Sequence, residues 1–389
     1  MKDVPPPFSL PSFHCRGFRP SFSGGFIVLR GSVAPAGRKQ QSKFIMAKIK
    51  RLGFLGGGPM ARSHAMAAAA LGAEITAVCT ASDSSPNRGA FCKIAPHARH
   101  MTDGEELLAD TELEGIVACL PWDVMPQWAV RLVQTPKPVL MEKPIGFSSD
   151  EARALVASVG KTATNKLVGY NRRFYETVVH LRERVKKGGL KAVHAVISES
   201  VANQIERHGK DIVPALVVFS SAHTLDLLQH LFGPVKPVAL APHTEKGRAA
   251  LFVSFNGLLV AAGGIPITVS LNADDPISVS VRCLFDDGKA WELSPLETLT
   301  IYEDFDVQPP TPGHNIRQYV PRSKARHEVD ASFKPGCYAQ MAAFLSGDFG
   351  PGATMDDAVA VLDLIDSMAA TAKSWPQDAP RDNNDILEK

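Results

Sequence analysis

The sequence predicts an α/β chain. An N-terminal Rossmann dinucleotide-binding domain should precede a C-terminal α+β domain with an open, mostly antiparallel sheet. Three observations carry this. Leu52–Ala61 reads LGFLGGGPMA, an apolar strand running into a Gly-x-Gly-x-x-Ala turn and then a helix. Met141–Gly146 reads MEKPIG, an apolar strand closed by a charged pair and a proline. Beyond residue 236, strand patterns flank Asn256-Gly257 and Asp286-Asp287-Gly288-Lys289, both hairpin signals. A length of 389 residues suits two domains rather than one core. The expected division is an extension at 1–46, a Rossmann domain at 47–169, a substrate-binding and oligomerisation domain at 170–375, and a frayed tail at 376–389.

Composition narrows the class. A hydrophobic share of 45% and a charged share of 21% belong to a soluble globular protein. The net charge of +2 is uneven. Before Met46, Lys2, Arg16, Arg19, Arg30, Arg38, Lys39 and Lys43 face Asp3 alone, so the remainder is mildly acidic and carries no nucleic-acid footprint. The six cysteines lack a C-x-x-C pair and read as free thiols in a reducing compartment. No run is apolar enough for a membrane helix. Residues 1–45 are rich in Pro, Ser, Gly and Arg without period and should be disordered. They fit an organelle transit peptide or an upstream extension ahead of Met46. The second is preferred, and with it a cytoplasmic location.

The first domain reads in order. Ile49–Leu55 is a strand and Pro59–Leu71 a helix, followed by a strand at Glu74–Thr80. Gly56 permits the tight turn, Gly58 lets backbone approach a pyrophosphate, and Ala61 lets the helix pack on the strand. Pro59 and Met60 begin the helix, whose free N–H groups and dipole face the phosphates. The tip of the second strand carries Thr80, Ser82, Asp83 and Arg88. Thr80 stands where an acid would bind the ribose of NAD. Thr80, Ser82 and Arg88 would instead receive a 2′-phosphate, which favours NADP slightly over NAD; Asp83 serves as the acid if the turn is one residue longer. A helix at Asp103–Leu108, with Thr102 as N-cap, precedes a buried strand at Gly115–Leu120. Pro121 and Trp122 follow at its carboxyl end, where open α/β sheets bind ligands.

Pro138–Met141 is the next strand, and Glu142-Lys143-Pro144 closes it. Proline keeps Lys143 out of α geometry. A lysine there, near a nicotinamide, can bond the reacting hydroxyl and stabilise a developing alkoxide. Desolvation would lower its pKa and allow proton transfer, with Glu142 orienting or balancing it.

These segments resemble the Gfo/Idh/MocA (glucose–fructose oxidoreductase, inositol dehydrogenase, rhizopine catabolism) oxidoreductase family. The matching pieces are GFLGGGPMARSHAMA, MEKPIG, VGYNRRFY at Val168–Tyr175 and HTLDLLQHLFG at His223–Gly233. PGCYAQMAAFLSG at Pro335–Gly347 and TMDDAVAVLDLI at Thr354–Ile365 are also similar. The resemblance implies oxidation or reduction of sugars and polyols, with the lysine of the EKP element as catalytic residue, which lands on Lys143. Two departures stand out. Many members place a His a few residues after the third strand's proline, where this chain has Met125-Pro126, and the ribose-binding acid is not obvious.

In the second domain, Lys166–Gly169 ends the first sheet and Tyr170-Asn171-Arg172-Arg173 lies beyond its tip. Arg172 or Arg173 is a candidate for binding substrate hydroxyls or a carboxylate. A helix at Glu176–Lys187 and a strand at Lys191–Ser200 follow. Ala249–Phe255 pairs with Leu258–Gly263 across Asn256-Gly257, and Ser278–Phe285 with Ala290–Leu293. A helix from Pro214 to Phe232 carries His223, Asp226 and His230 on one face. The resemblance implies an Asp and a His four residues apart beside the lysine, which Asp226 and His230 match by spacing. Asp226 would hold the substrate hydroxyl or tune His230, the general acid–base. His223 is a further candidate for that role. No metal is expected, since His-x-x-Asp-x-x-x-His lacks a fourth ligand.

The expected activity is hydride transfer between NAD(P) and a sugar, sugar derivative or polyol, in a homodimer or homotetramer assembled through the C-terminal sheet. The rivals are a redox-neutral elimination or glycoside cleavage with tightly held NAD, and a dinucleotide-binding sensor without turnover.

Overall fold

The computed structural model describes residues 48–159, 164–242, 254–273 and 276–375. The expected extension, the tail at 376–389 and most of the strand expected at 249–255 lie outside them.

Six strands make the first sheet: β1 (Arg51–Leu55), β2 (Glu74–Cys79), β3 (Arg99–Met101), β4 (Gly115–Ala118), β5 (Val139–Met141) and β6 (Lys166–Val168). All are parallel, in the order β3-β2-β1-β4-β5-β6. The strand order reverses between β1 and β4, where doubly wound sheets open a crevice at the strands' carboxyl ends. β4, β5 and β6 are buried along their whole length and β1 beyond its first residue, as strands of a parallel sheet require, while the edge strand β3 is partly exposed. The helices α1 (Pro59–Ala70), α2 (Pro86–Cys92), α3 (Gly104–Ala109), α4 (Met125–Gln134) and α5 (Ser149–Val159) connect them. The N-cap of α3 is Asp103 rather than Thr102: its carboxylate accepts from the backbone N–H groups of Glu105 and Glu106.

After a 3-10 turn at Asn171–Phe174 come α6 (Glu176–Lys186), β7 (Leu190–Glu199) and α7 (Val201–His208). The single long helix expected from Pro214 is three segments. A 3-10 stretch at Lys210–Ala215 contains Pro214, a π stretch follows at Val217–Ser221, and only α8 (Ala222–Phe232) is regular. Proline lacks the N–H an α-helix interior needs, so regular geometry starts after it.

The second sheet adds β8 (Val235–Pro242), β9 (Phe255–Ala261), β10 (Pro266–Ala273), β11 (Ser280–Phe285), β12 (Ala290–Leu293), β13 (Thr298–Gln308) and β14 (Gln318–Glu328). Its order is β14-β13-β12-β11-β7-β10-β9-β8. Only the β7–β10 pair is parallel. The hairpin across Asp286–Lys289 forms as expected between β11 and β12. The one across Asn256-Gly257 does not. Both residues lie inside β9, paired to β8 and β10, and the β9–β10 turn is made by Ala262–Gly264 with Gly263 and Gly264 at φ 75° and 79°. Gly257 serves close approach: a Cβ there would stand 2.2 Å from the Ala239 carbonyl oxygen.

The chain then returns to the first domain. α9 (Cys337–Ser346) packs on α1 and places Met341, Phe344 and Leu345 against Leu52 and Phe54 of β1. α10 (Met355–Lys373) packs on α5, α8 and β8, bridging both halves.

Gly257→Val is expected to cost about 1–3 kcal/mol, because the strand must move off Ala239. Denaturant unfolding measures this; an unchanged midpoint would contradict the close approach.

Candidate active site

The Gly-rich turn lies between β1 and α1. Gly56 adopts φ 100°, and a Cβ on it would stand 2.2 Å from the Cys119 carbonyl oxygen, so only glycine fits. A Cβ on Gly58 would meet nothing within 4 Å, so the turn opens onto free space there. Gly58 is the N-cap of α1, Pro59 its first residue, and no side chain caps the helix or places an acid in its first turn. The N–H groups beyond Pro59, starting with Met60 and Ala61, thus present an uncapped positive end to that space. This suits a dinucleotide pyrophosphate.

The tip of β2 differs from expectation. The buried Thr80 hydroxyl donates to the Ser82 carbonyl (3.0 Å) and lies 2.7 Å from His100 Nε2, so it is turned into the fold and is not free for a phosphate. Ser82 Oγ lies 3.2 Å from Ser84 Oγ. Arg88 donates to Asp83 Oδ1 (2.8 Å), and His100 Nδ1 lies 3.3 Å from the same oxygen. The exposed pair at this tip is therefore Asp83 with Arg88.

Glu142 and Lys143 follow β5, each only 8% exposed. The Glu142 carboxylate lies 3.3 Å from His64 Nε2 and fills the space that a Cβ on Gly169 would need. Burial pushes its pKa up, but His64 and the charges of Lys143 and Lys334 hold it below the usual carboxylate value. His64, Cys119 and Glu142 bring their ligand atoms within 4.8 Å of one another. Cys119 stays a thiol there, because burial and Glu142 push its pKa well up.

Lys143 Nζ donates to the Phe219 carbonyl (2.5 Å), and stands 3.9 Å from the centroid of that ring. Burial lowers its pKa to about 8; Arg172 and Lys334 add to the shift, and Glu142 and Glu199 oppose it. Trp122, half-buried, turns edge-on to Phe147 (5.7 Å) and lies 6.5 Å from Phe219, on the wall over the lysine. Pro121 beside it is exposed.

The three candidates on α8 separate. Asp226 is fully buried and gripped by Arg173, Nε at 2.9 Å from Oδ2 and Nη2 at 2.6 Å from Oδ1. Arg173 also reaches Asp357 Oδ2 (3.2 Å), whose carboxylate closes the capping box of α10. Burial pushes the Asp226 carboxyl up to about 6 against the pull of Arg173. Asp226 and Arg173 therefore join three helical segments, with Asp226 wholly buried against the guanidinium. His230 lies among Arg173, Arg182, Asp357 and Lys186, and burial lowers its pKa to about 3.

His223 is the residue beside the lysine. Its ring meets Tyr170 edge-on at 5.6 Å, and its Nδ1 is buried without a partner. Burial first, then Lys143, Arg172 and Lys334, push its pKa well below the usual value, so it is a neutral imidazole. Arg172 Nη1 donates to Thr224 Oγ1 (2.5 Å). Glu199, at the end of β7, is buried, accepts from Ser221 Oγ (2.9 Å), and lies close enough to Arg172 and Lys143 to feel both charges; burial raises its pKa. Sequence reasoning missed Glu199 and Phe219, which belong to no motif. Helical period alone placed His223 and His230 on one face; the contact with Arg173 decides which of them meets Lys143.

Comparison with known proteins bears on the fold and the family likeness. Residues 50–170 match the model of the oxidoreductase family with an NAD-binding Rossmann fold, Gfo/Idh/MocA. Over that stretch the chain is similar to the NAD-binding domain of that family. It is 27% identical over 203 residues to inositol 2-dehydrogenase of Rhizobium meliloti, covering 49% of this chain and 58% of that protein. It is 27% identical over 135 residues to the uncharacterized oxidoreductase YrbE of Bacillus subtilis, covering 34% and 39%. The match thus spans 39% to 58% of the length of these curated relatives. A solved levoglucosan dehydrogenase, in complex with NADH and levoglucosan, superposes with a TM-score of 0.64 at 13% identity, covering 83% of this chain and 97% of that one. That likeness shows the fold alone. Among the described residues no helix is long and apolar enough to cross a membrane.

Removing Arg173 leaves the Asp226 carboxyl buried in the core without its partner. Arg173→Met is expected to cost about 3–5 kcal/mol. Equilibrium unfolding tests this, and a loss under about 1 kcal/mol would return Asp226 to the list of substrate-facing groups.

Proposed function

We propose that this chain is an NAD(P)-dependent oxidoreductase acting on a CH–OH group of a sugar, sugar derivative or polyol. The observation that carries the reading is the buried ammonium of Lys143. It follows the strand next to the Gly-rich turn's crevice, and its charge is felt by His223 and Glu199. Gly56, Gly58 and the uncapped start of α1 would hold a dinucleotide, whose nicotinamide would supply the hydride chemistry. Lys143 Nζ, with a pKa near 8, takes the hydroxyl proton in oxidation and returns it in reduction. The neutral His223 is a second proton acceptor, its Nδ1 unpaired. Arg172 and Glu199 orient neighbouring hydroxyls as donor and acceptor. Trp122 and Phe219 supply an apolar wall for a sugar's C–H face.

At the adenosine end, Asp83 is a ready acceptor for ribose hydroxyls, and its pairing with Arg88 favours NAD over NADP. Assembly into homo-oligomers through the second sheet belongs to the same proposal. The β13–β14 ribbon exposes Phe305, Val307, Tyr319 and Val320 to solvent.

Lys143→Met is expected to lower kcat by about 10²–10⁴ while the Kd for dinucleotide holds. The wild-type pH profile checks the assignment independently. Oxidation needs the neutral amine, so its rate should climb with pH through about 8 and then level; reduction should fall across the same range. Near-normal turnover of the variant on a sugar and polyol panel that the wild type accepts would refute the role. Asp83→Ser leaves Arg88 unpaired, and the NADP-to-NAD ratio of kcat/KM should rise about tenfold.

A further inference from the structure

Lys334 belongs to the segment by which the chain returns from the second sheet to the first domain. Its side chain is exposed, yet it does not point away from the molecule. Its ammonium lies 2.6 Å from Met60 Sδ, on the second residue of α1. A thioether is a weak acceptor for so strong a donor. Among the described residues no carboxylate pairs with Lys334. Its charge is felt by Glu142, Lys143, Cys119 and His223, which places the ammonium over the cleft between the Gly-rich turn and the catalytic lysine.

The backbone that presents it is fixed. Phe333 stacks on Tyr338 at 4.9 Å and packs against the cluster under α1. The Pro335 carbonyl accepts from Asn171 Nδ2 (2.9 Å), and Cys337 N–H closes a turn onto the Lys334 carbonyl (3.0 Å). Gly336, at φ 75°, sits where a Cβ would stand 2.2 Å from the Asn171 carbonyl oxygen. A lysine on a turn this constrained loses little backbone freedom on meeting a ligand. The end of α1 beneath it is uncapped and faces the open space at Gly58. Two positive features, one from each domain, thus converge on one spot.

We propose that Lys334 binds the phosphates of the dinucleotide, clasping the pyrophosphate against the Gly-rich turn from the second domain. This rests on the dinucleotide reading above and extends it: the cofactor site is completed by a residue some 270 positions beyond the turn. The partner group is an anion, and its place at the start of α1 selects a phosphate over a substrate carboxylate.

The test is direct titration of the full chain with NADH, NADPH and ADP-ribose, for wild type, Lys334→Met and Lys334→Arg. ADP-ribose keeps both phosphates and lacks the nicotinamide. Losing a charge-assisted contact should weaken binding of the reduced dinucleotide and of ADP-ribose alike, by about tenfold or more in Lys334→Met. The loss should shrink at high salt, since the contact is exposed. Lys334→Arg should restore most of the affinity. Thermal unfolding without ligand should be unchanged in both variants. Equal affinity of Lys334→Met and wild type for ADP-ribose would overturn the proposal and leave the oxidoreductase reading intact. So would a defect confined to the substrate KM. A wild type that binds none of the three ligands would overturn the underlying reading itself.

Discussion

The buried pair of Arg173 and Asp226 sets the geometry of the site. Arg173 comes from the exit of the first sheet, Asp226 from the middle of α8, and Asp357 from the start of α10. Once Asp226 is locked, the helical period dictates the rest of α8. A residue three positions earlier turns toward the crevice, and one four positions later lies a further turn along the helix. His223 and His230 are therefore distinguished by an ion pair neither of them joins. The same pair is a poor source of net stability, because desolvating two charges offsets most of their attraction. Its value is in fixing which imidazole faces the lysine.

The chemistry around Lys143 follows from a surplus of positive charge in a partly dry space. Arg172 and Lys334 act on Lys143, and all three act on His223. Burial and like charges together favour an amine that gives up its proton near neutral pH. Glu142 and Glu199 limit that shift, one beside the lysine in sequence and the other on β7. The aromatic ring and carbonyl of Phe219 hold the ammonium in place without neutralising it.

Much of this was legible in the sequence because it is local. The Gly-rich turn, the strand before it and the helix after it are read within a dozen residues, as is the lysine ahead of its proline. The order of the first sheet follows from those cues and from alternation of strand and helix. What failed depended on distant partners. Asn256-Gly257 has the composition of a turn, but its glycine answers the carbonyl of Ala239 on the neighbouring strand. Thr80 has a hydroxyl suited to a phosphate, but His100 and the Ser82 carbonyl occupy it. Glu199 and Lys334 have no sequence signal, since a single charged residue at a strand end or in a loop is ordinary.

The return of α9 has a bearing on how the molecule can be divided. Met341, Phe344 and Leu345 complete the apolar layer behind β1, although they lie nearly 300 residues after it. A fragment ending after β6 would keep every residue of the parallel sheet and still bare the back of its central strand to water. The nucleotide half is thus not a portable module: its last layer is delivered by the chain's far end, after the second sheet has been built.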